Sequence, residues 1–357
     1  MTDLHSSILS NFLLDGNAVT CERYGCGHIN ETYLVVTDKA HRYIFQRINQ
    51  HIFRDIPALM ENISAVSGHL LSILHDPRRV LTPVYTKDGQ CYASLEDGTY
   101  WRLYEFVERS LCLQAPETPE DFYQSAVAFG EFQQHLKDFP AATLHETIPN
   151  FHNTVDRYRI FHEVLSADVM GRAREVQPEI AFLLEREEEA GTLVQLLEAG
   201  KLPLRVTHND TKLNNVMLDA DTRKALCVID LDTVMPGLSA YDFGDSIRFG
   251  AATAAEDETD LSKMEMDLEL FRIYTRGFLK ACPGLTDLEK QMLPMGAKLM
   301  TLEVGLRFLT DYLDGDHYFA VHRPGHNLDR SRTQLKLVSD MEKKWDDMVR
   351  IVLEEDK

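Results

Sequence analysis

The chain has few cysteines, no long apolar run and a shortage of positive charge. Its six cysteines are scattered at positions 21, 26, 91, 112, 227 and 282, without a C-x-x-C pair. This pattern indicates neither a disulfide framework nor a zinc site. No apolar run is long enough to cross a bilayer, and the first 16 residues lack the apolar core of a secretory signal. We therefore expect a cytoplasmic protein without a membrane partner.

The charge balance bears on the class of partner. Acidic residues outnumber basic ones by 57 to 37, which gives a net charge of −20. Nucleic-acid binding draws on clustered Lys and Arg, so we expect no nucleic-acid partner. A neutral or cationic small molecule is easier to reconcile with this charge. The 357 residues suffice for two lobes, each with its own core; the sequence carries no signal of the oligomeric state.

The most informative stretch runs from residue 205 to residue 249. A short apolar strand leads to Asp210 on a loop, and Asn215 opens a second strand five residues later. After a turn, a third strand ends in Asp230. We therefore predict a hairpin that brings these three side chains to one end of a small sheet. The three strands are predicted at residues 204–206, 215–218 and 225–229.

Phosphoryl transfer from ATP needs such a group of side chains. One carboxylate accepts the proton of an attacking hydroxyl, and a carboxylate with an amide oxygen holds Mg²⁺. We predict that Asp210 is the catalytic base and that Asn215 and Asp230 are the Mg²⁺ ligands, with Asp232 as a possible helper. The alternative is a polar turn with solvated carboxylates. It fits each residue alone but not the whole spaced set.

A nearby sequence matches another metal-binding motif, the one found in protein kinases. Asp242, Phe243 and Gly244 form the D-F-G that holds Mg²⁺ in protein kinases. They lie too far past Asp210, beyond a Met-Pro-Gly turn, so we assign the metal to Asp230. We predict instead that Asp242 braces the catalytic loop by accepting hydrogen bonds from its backbone amides.

The pattern H-x-D-x-x-x-x-N followed by I-D resembles the catalytic loop of the kinase-like superfamily, in its aminoglycoside phosphotransferase and choline kinase branch. This resemblance implies an α+β, protein-kinase-like fold with two lobes. The small N-lobe has an antiparallel sheet with a helix, and the larger C-lobe is mostly helical. We predict an N-lobe at residues 1–108, a hinge and linker at 109–118 and a C-lobe at 119–357.

The resemblance also locates the nucleotide. Gly25 and Gly27 lie in a turn between two strands, where glycine lets backbone N–H groups approach the phosphates of ATP. Gln46 stands on the third strand, where the superfamily normally places a Lys or Arg that grips phosphate. Arg47 or Lys212 is expected to compensate, and Lys212 could reach the γ-phosphate.

Three further features complete the predicted lobes. Backbone groups at Glu105 and Val107, at the end of the strand that leads into the hinge, are expected to bind adenine. A helix at 55–73 carries Glu61, a candidate partner for the compensating cation. Helices are also predicted from Thr118 onward and at residues 155–198, 268–282, 290–314 and 330–353.

Longer strings resemble one family, the bacterial N-acetylhexosamine 1-kinases. They are GHINETYLV (27–35), THNDTKLNN (207–215), VIDLDTVMPG (228–237), DFGDSIRFGA (242–251) and LRFLTDYLDGDHYF (306–319). Gln46 also fits that family. The resemblance spans nearly the whole chain. It implies transfer of the γ-phosphoryl group of ATP to the anomeric hydroxyl of N-acetylglucosamine or N-acetylgalactosamine.

The same resemblance implies a set of sugar-binding residues. Arg307 and Tyr318 match positions that bind sugar in the family, and an Arg with an aromatic ring suits the hydroxyls and the C–H face of a hexosamine. Their alternative roles are a helix ion pair with Glu303 and Asp311, at i, i+4 spacing, and a packed aromatic ring. The remaining implied sugar-binding residues are Asp210, His28, Asp245 and Arg248.

Other functions remain open at this point. A kinase for a cationic alcohol, such as choline or an aminoglycoside, is compatible with the acidic balance. A nucleotide-binding pseudokinase is suggested by the missing third-strand Lys, although a degenerate site has no reason to keep Asp210, Asn215 and Asp230. A protein kinase fits least, because the chain after Asp230 lacks an A-P-E element.

Overall fold

The structure is a computed structural model that describes residues 3–25 and 29–357. It divides into two compact units that are discontinuous along the chain. Unit 1 contains Met1–Cys112, Asp138–Pro149 and Met217–Met235, and unit 2 contains Leu113–Lys137, Asn150–Val216 and Pro236–Lys357. The lobe boundaries at 108 and 119 stay a prediction.

The strands of the described residues are short. They are β1 (Ala18–Arg23), β2 (Glu31–Thr37), β3 (Arg42–Arg47), β4 (Ala93–Ser94), β5 (Tyr100–Glu105), β6 (Ser110–Cys112), β7 (Arg205–Thr207), β8 (Val216–Asp219), β9 (Ala225–Val228) and β10 (Met235–Gly237). Most of them belong to unit 1.

The helices are longer and lie mainly in unit 2. They are α1 (Asp3–Leu9), α2 (Ile56–Leu74), α3 (Pro119–His135), α4 (Thr154–Ala167), α5 (Gln177–Leu184), α6 (Glu187–Ala190), α7 (Thr192–Glu198), α8 (Ser239–Gly250), α9 (Leu268–Ala281), α10 (Asp287–Gln291), α11 (Leu293–Asp314), α12 (His326–Lys343) and α13 (Trp345–Glu355). No helix in the described part of the chain has both the length and the apolar character that crossing a membrane requires.

Unit 1 is built on a five-stranded sheet with the order β1-β2-β3-β5-β4, whose neighbouring strands run antiparallel. Successive side chains of a strand point to opposite faces. On β3 this rule buries Tyr43 and Phe45 and turns Gln46 to the other face. Phe45 stacks on Trp101 of β5 at a ring separation of 4.5 Å, within the apolar core of this unit.

A second sheet of unit 1 has the order β6-β8-β9. Its hairpin, β8 with β9, lies within one residue of the two strands predicted from the sequence. The helix α2 agrees equally well with the prediction. The Asp55 carboxylate caps it by accepting a hydrogen bond from the Ala58 N–H, and its buried stripe includes Leu59, Met60 and Ile63.

Unit 2 is mostly helical and is centred on α11. This helix is buried on nearly every side, because α4, α8 and α12 pack against it. Thr118 begins α3 with a capping box, in which the Thr118 hydroxyl and the Asp121 side chain each accept a backbone N–H from the other residue. The small antiparallel sheet with a helix in unit 1 and the helical unit 2 confirm the predicted fold class.

The sequence predicted longer helices than the structure contains. The stretch 155–198 is divided into α4, α5, α6 and α7, since Asp168 ends α4 with a φ of 36° and Pro178 stands in the first turn of α5. The stretch 330–353 is likewise divided, at Lys344. Apolar periodicity continues across such breaks, so it does not reveal them.

Candidate active site

The catalytic loop (residues 207–215) of unit 2 is held by the helix α8. The Asp242 carboxylate accepts hydrogen bonds from the backbone N–H groups of His208 (3.0 Å) and Asn209 (2.8 Å). The Thr211 hydroxyl donates to the Asp242 carbonyl oxygen at 2.6 Å. The prediction that Asp242 braces the catalytic loop is therefore confirmed.

A second carboxylate of α8 holds the middle of the loop. Asp245 accepts a hydrogen bond from the Thr211 N–H at 2.9 Å and pairs with Arg248 at 2.9 Å. Burial alone would raise the pKa of Asp245, but the cations of Arg248 and Lys212 hold it below its usual range. Arg248 also donates to Glu256 at 2.8 Å. In this structure both residues of the pair are thus bound to other protein groups.

Asp210 lies between a cation and an amide. Lys212 Nζ is 2.7 Å from one carboxylate oxygen of Asp210, and Asn215 Nδ2 donates to the other at 3.1 Å. The same Nδ2 donates to the Asp210 carbonyl oxygen at 2.8 Å. Because the nitrogen end of the Asn215 amide faces Asp210, its oxygen end points away. The Asp210 side chain remains 30% exposed, so an acceptor hydroxyl can approach it.

The Lys212 ammonium keeps its charge despite partial burial. Burial alone would lower the pKa of Lys212, but the carboxylates of Asp210 and Asp245 raise it above its usual range. The ammonium of Lys212 and the carboxylate of Asp210 form a charge-assisted hydrogen bond. The loop therefore presents the Asp210 carboxylate with the Lys212 ammonium next to it.

In unit 1, Asp230 and Asp232 follow the hairpin. Asp230 has a φ of 59°, in the left-handed region. Asp232 is bound through both carboxylate oxygens, by Arg102 at 2.5 and 2.9 Å and by Asn30 at 2.7 Å. The Asp232 carboxylate is thus committed to protein donors, which does not suit the helper role that the sequence suggested.

Gln46 has two protein partners in unit 1. Its amide nitrogen donates to the Thr32 hydroxyl at 2.9 Å, and its amide oxygen accepts from Arg102 Nε at 2.9 Å. Arg47, a candidate for the compensating cation, is instead turned outward and pairs with Glu31 at 3.0 Å. Within unit 1, the cation beside Gln46 is therefore Arg102.

Arg102 is a residue that the sequence reasoning missed. It lies in the aromatic strand YWRLYEFV and its side chain is only 1% exposed. Burial alone would lower the pKa of Arg102, but the Asp232 carboxylate raises it further above its usual range. A charged residue in the middle of an apolar strand was the available signal.

The other predicted nucleotide-binding positions of unit 1 are partly described. Gly25 has a φ of 73°, and a Cβ at this position would meet no heavy atom within 4 Å. Gly27 and His28 lie outside the described residues. Glu105 ends β5 with its side chain 2.6 Å from His41 Nε2, and the Val107 carbonyl oxygen accepts from the Ser110 hydroxyl at 2.7 Å.

Among the described residues of unit 1, the partner of Glu61 is a histidine. Its carboxylate contacts His145 Nε2 at 2.8 Å, and its side chain is 68% exposed. The cation beside Gln46, Arg102, is paired with Asp232 rather than with Glu61, and the expectation that Glu61 accompanies a compensating cation stays a prediction.

Arg307 and Tyr318 meet in unit 2. Arg307 Nη2 donates to the Tyr318 hydroxyl at 3.3 Å, while Tyr318 is 65% exposed. Behind them lies the buried Glu303, 3.7 Å from Arg307 and 3.1 Å from His152. Burial alone would raise the pKa of Glu303, but His152 and Arg307 hold it below its usual range. The carboxylate anchors Arg307 while the Tyr318 ring stays available.

Asp311 shapes the loop that carries Tyr318. Its carboxylate accepts hydrogen bonds from the backbone N–H groups of His317, Tyr318 and Phe319, at 2.8, 2.8 and 3.0 Å. The expected row of ion pairs on α11 is thus confirmed only for its first pair. Glu303 pairs with Arg307, but Asp311 holds the loop instead.

The donors present suit a divalent cation shared with phosphate groups. Among residues 3–25 and 29–357, no cluster of three or more His, Cys, Asp or Glu side chains could hold a metal ion. Mg²⁺ is commonly bound by only one or two carboxylates together with substrate phosphates. The outward amide oxygen of Asn215 is a suitable oxygen ligand of this kind.

Comparison with known proteins agrees with this chemistry. The phosphotransferase enzyme family (APH) matches residues 20–273, more than half of the 357 residues. The chain is also similar to the structure of a microcompartment-associated aminopropanol kinase, with a TM-score of 0.67, 19% identity and coverage of 97% of this chain and 98% of that one.

Two further solved structures are similar. One is choline kinase from Cryptosporidium parvum Iowa II, with a TM-score of 0.57, 13% identity and coverage of 92% and 90% of the two chains. The other is amicoumacin kinase in complex with AMP-PNP and Ca²⁺, with a TM-score of 0.56, 14% identity and coverage of 91% and 88%. The kinase-like fold predicted from the sequence is therefore confirmed.

Proposed function

Because the chain belongs to the phosphotransferase enzyme family, we propose that it transfers the γ-phosphoryl group of ATP to the C1 hydroxyl of an N-acetylhexosamine, N-acetylglucosamine or N-acetylgalactosamine. The transfer itself is carried by one observation. The accessible Asp210 carboxylate lies between Lys212 at 2.7 Å and Asn215 at 3.1 Å. Choice of a sugar as acceptor rests on Arg307, Tyr318 and the long shared strings.

Asp210 is the proposed catalytic base. An anomeric hydroxyl is more acidic than an ordinary alcohol, so a positioned carboxylate is sufficient to accept its proton. Lys212 lies beside Asp210 and offers its ammonium to the γ-phosphate. Most of the rate enhancement then comes from alignment and charge stabilisation rather than from covalent chemistry.

Asn215 and Asp230 are the proposed ligands of Mg²⁺. Asn215 directly precedes β8, and Asp230 follows β9 after one residue. When bound, the metal neutralises the charge of the β- and γ-phosphates. The Asn215 amide contributes its oxygen, since its nitrogen is occupied by Asp210.

The nucleotide is proposed to lie along unit 1. Backbone N–H groups of the turn with Gly25 and Gly27 approach the phosphates, and Gln46 belongs to the same region. Backbone groups at Glu105 and Val107 bind the adenine base. These positions rest on the resemblance to the kinase-like superfamily together with the order of elements along the chain.

The acceptor is proposed to lie against unit 2. The Arg307 guanidinium donates to sugar hydroxyls, and the exposed Tyr318 ring contacts the apolar face of the sugar. Asp245, Arg248 and His28 complete the proposed set. Because Asp245 and Arg248 already pair with each other, contact with the sugar requires their remaining lone pairs or donors.

A cationic alcohol is the alternative acceptor. One structure with a similar fold is, by its name, a choline kinase. Such a substrate favours carboxylates and aromatic rings without a neighbouring cation. Arg307 beside Tyr318 favours the neutral sugar over this alternative. The intact Asp210 and Asn215 favour an active kinase over a pseudokinase.

The direct test is ADP release by the purified protein with ATP and Mg²⁺. The acceptors compared are N-acetylglucosamine, N-acetylgalactosamine, galactose, choline and none. We expect turnover with the N-acetylhexosamines and a loss of at least about 100-fold in kcat for Asp210→Asn. Asp346→Asn, an exposed substitution on α13, is the matched control and should be unaffected. Turnover with choline alone would show that the acceptor is a cationic alcohol. The absence of turnover with every acceptor would refute the proposal.

A further inference from the structure

A row of polar side chains, partly exposed at Thr32 and Gln46 and buried at Arg102, crosses the sheet of unit 1. Thr32 of β2, Gln46 of β3 and Arg102 of β5 stand opposite one another in register. Residues in register on neighbouring antiparallel strands share one face of the sheet. The hydrogen bonds run along the row, from Gln46 to Thr32 and from Arg102 to Gln46, each at 2.9 Å.

The row ends in a buried ion pair. The side chains of Arg102 and Asp232 are 1% and 5% exposed, and two bonds join them in a bidentate arrangement. Removing two charges from water costs several kcal/mol for each ion in a typical protein, so such a pair needs near-ideal geometry. Gln46 supplies part of that geometry, because its amide oxygen accepts from the third guanidinium nitrogen of Arg102.

The guanidinium is therefore not available to ATP. All three of its nitrogens donate to Asp232 or Gln46, and Asn30 adds a further donor to Asp232 at 2.7 Å. A phosphate group could bind Arg102 only if the ion pair broke, and the Asp232 carboxylate would then be buried without its partner. The ion pair of Arg102 and Asp232 can therefore affect the site only through the backbone that it holds in place.

Asp232 is separated by a single residue from Asp230, the proposed metal ligand. Asp230 has a φ of 59° and a ψ of 57°. This left-handed conformation costs a non-glycine residue about 1 kcal/mol and persists when the surroundings enforce it. The anchored Asp232 provides such a constraint on the C-terminal side of Asp230.

We propose that Arg102 is a positioning residue for the metal site. It holds Asp232, and through Asp232 it fixes the backbone that presents the Asp230 carboxylate to the cation. Gln46 orients Arg102 and acts on the nucleotide indirectly. The inference rests on the proposed function for the assignment of the metal to Asp230, but it does not depend on the acceptor.

The decisive variant removes the pair and leaves the local charge unchanged. Arg102→Met with Asp232→Asn deletes one positive and one negative charge, so electrostatics alone predicts no change in metal affinity. Mn²⁺ binding is measured by electron paramagnetic resonance of the free ion, with the full-length protein and ADP. Circular dichroism at the same temperature checks that each variant is folded.

We expect the double variant to bind Mn²⁺ about 10–100-fold more weakly, as for other residues that orient a metal ligand. The matched control is Arg186→Met with Glu342→Gln, another bidentate pair, which lies in unit 2. It should leave Mn²⁺ affinity unchanged. Native-like affinity in the folded Arg102 and Asp232 double variant would overturn the inference.

Two further variants complete the test. Gln46→Met removes one bond to Arg102 and keeps the ion pair, so it should weaken Mn²⁺ binding to a smaller extent. If the double variant does not fold, unchanged affinity in Gln46→Met overturns the inference. Asp230→Asn should abolish binding, and normal binding there refutes the metal assignment itself. A protein that binds Mn²⁺ as expected but phosphorylates no N-acetylhexosamine contradicts only the proposed acceptor.

Discussion

Gly244 lies where the helices α8 and α11 cross in unit 2. A Cβ on Gly244 would stand 2.3 Å from the Gly296 carbonyl oxygen and 2.7 Å from Met300 Cγ. Non-bonded atoms need about 3.5 Å, so Gly244→Ala forces the two helices apart by about 1 Å. The obstacle is backbone, which cannot turn away as a flexible side chain does.

The magnitude follows from two opposing effects. Overpacking of a closely packed interior costs about 1–3 kcal/mol, and a backbone obstacle belongs at the upper end. Alanine in place of a helical glycine stabilises the helix by about 1 kcal/mol. We therefore expect Gly244→Ala to lower the free energy of unfolding by about 2 kcal/mol. Because α8 also carries Asp242 and Asp245, the displaced helix should lower kcat.

Urea denaturation at pH 7 measures the free energy, with Gly68→Ala as the matched control. Gly68 is an exposed position within α2, and its added Cβ would meet no heavy atom within 4 Å. This control should gain about 0.5–1 kcal/mol of stability from helix propensity alone. If both alanine variants were equally stable, the close crossing of α8 and α11 would be refuted.

Two other predictions concern unit 2. Asp311→Ala removes the carboxylate that accepts hydrogen bonds from three backbone N–H groups in the Tyr318 loop. We therefore expect steady-state assays to show a higher KM for the sugar and an unchanged KM for ATP, and equal changes in both would contradict this. Burial alone would raise the pKa of Glu289, but Arg205 holds it below its usual range. The stability from this lowered pKa is present above the unfolded-state pKa and is lost as pH falls through the folded one. Glu289→Gln should therefore cost about 3 kcal/mol at pH 7 and progressively less below about pH 4; a difference in unfolding free energy that stays constant with pH would contradict this.

Short-range features of the fold could be predicted from the sequence. The third strand was correctly placed at Gln46, and Thr118 located the start of α3. The spacing around Asp210 also led to the brace by Asp242, which the structure confirms. In each case the outcome depends on residues within a few positions or on one recognisable motif.

Other parts of the candidate site could not be predicted in this way. Breaks within 155–198 were missed, because the apolar pattern continues through them. Glu61 was matched to a cation by its place on α2, whereas in unit 1 it faces His145. Asp311 has helical spacing from Arg307, yet its carboxylate turns to the loop beyond α11.

The sequence by itself determined the local chemistry of this protein: which residues form strands, where helices are capped, and which carboxylate and amide stand at kinase spacing. These depend on backbone sterics and on hydrogen bonds between near neighbours. Only the tertiary structure decided that Arg102 pairs with Asp232, 130 residues away, and that Gly244 meets Gly296. Such contacts arise from strand register and from helices crossing in a packed interior, which no pattern of neighbouring residues encodes.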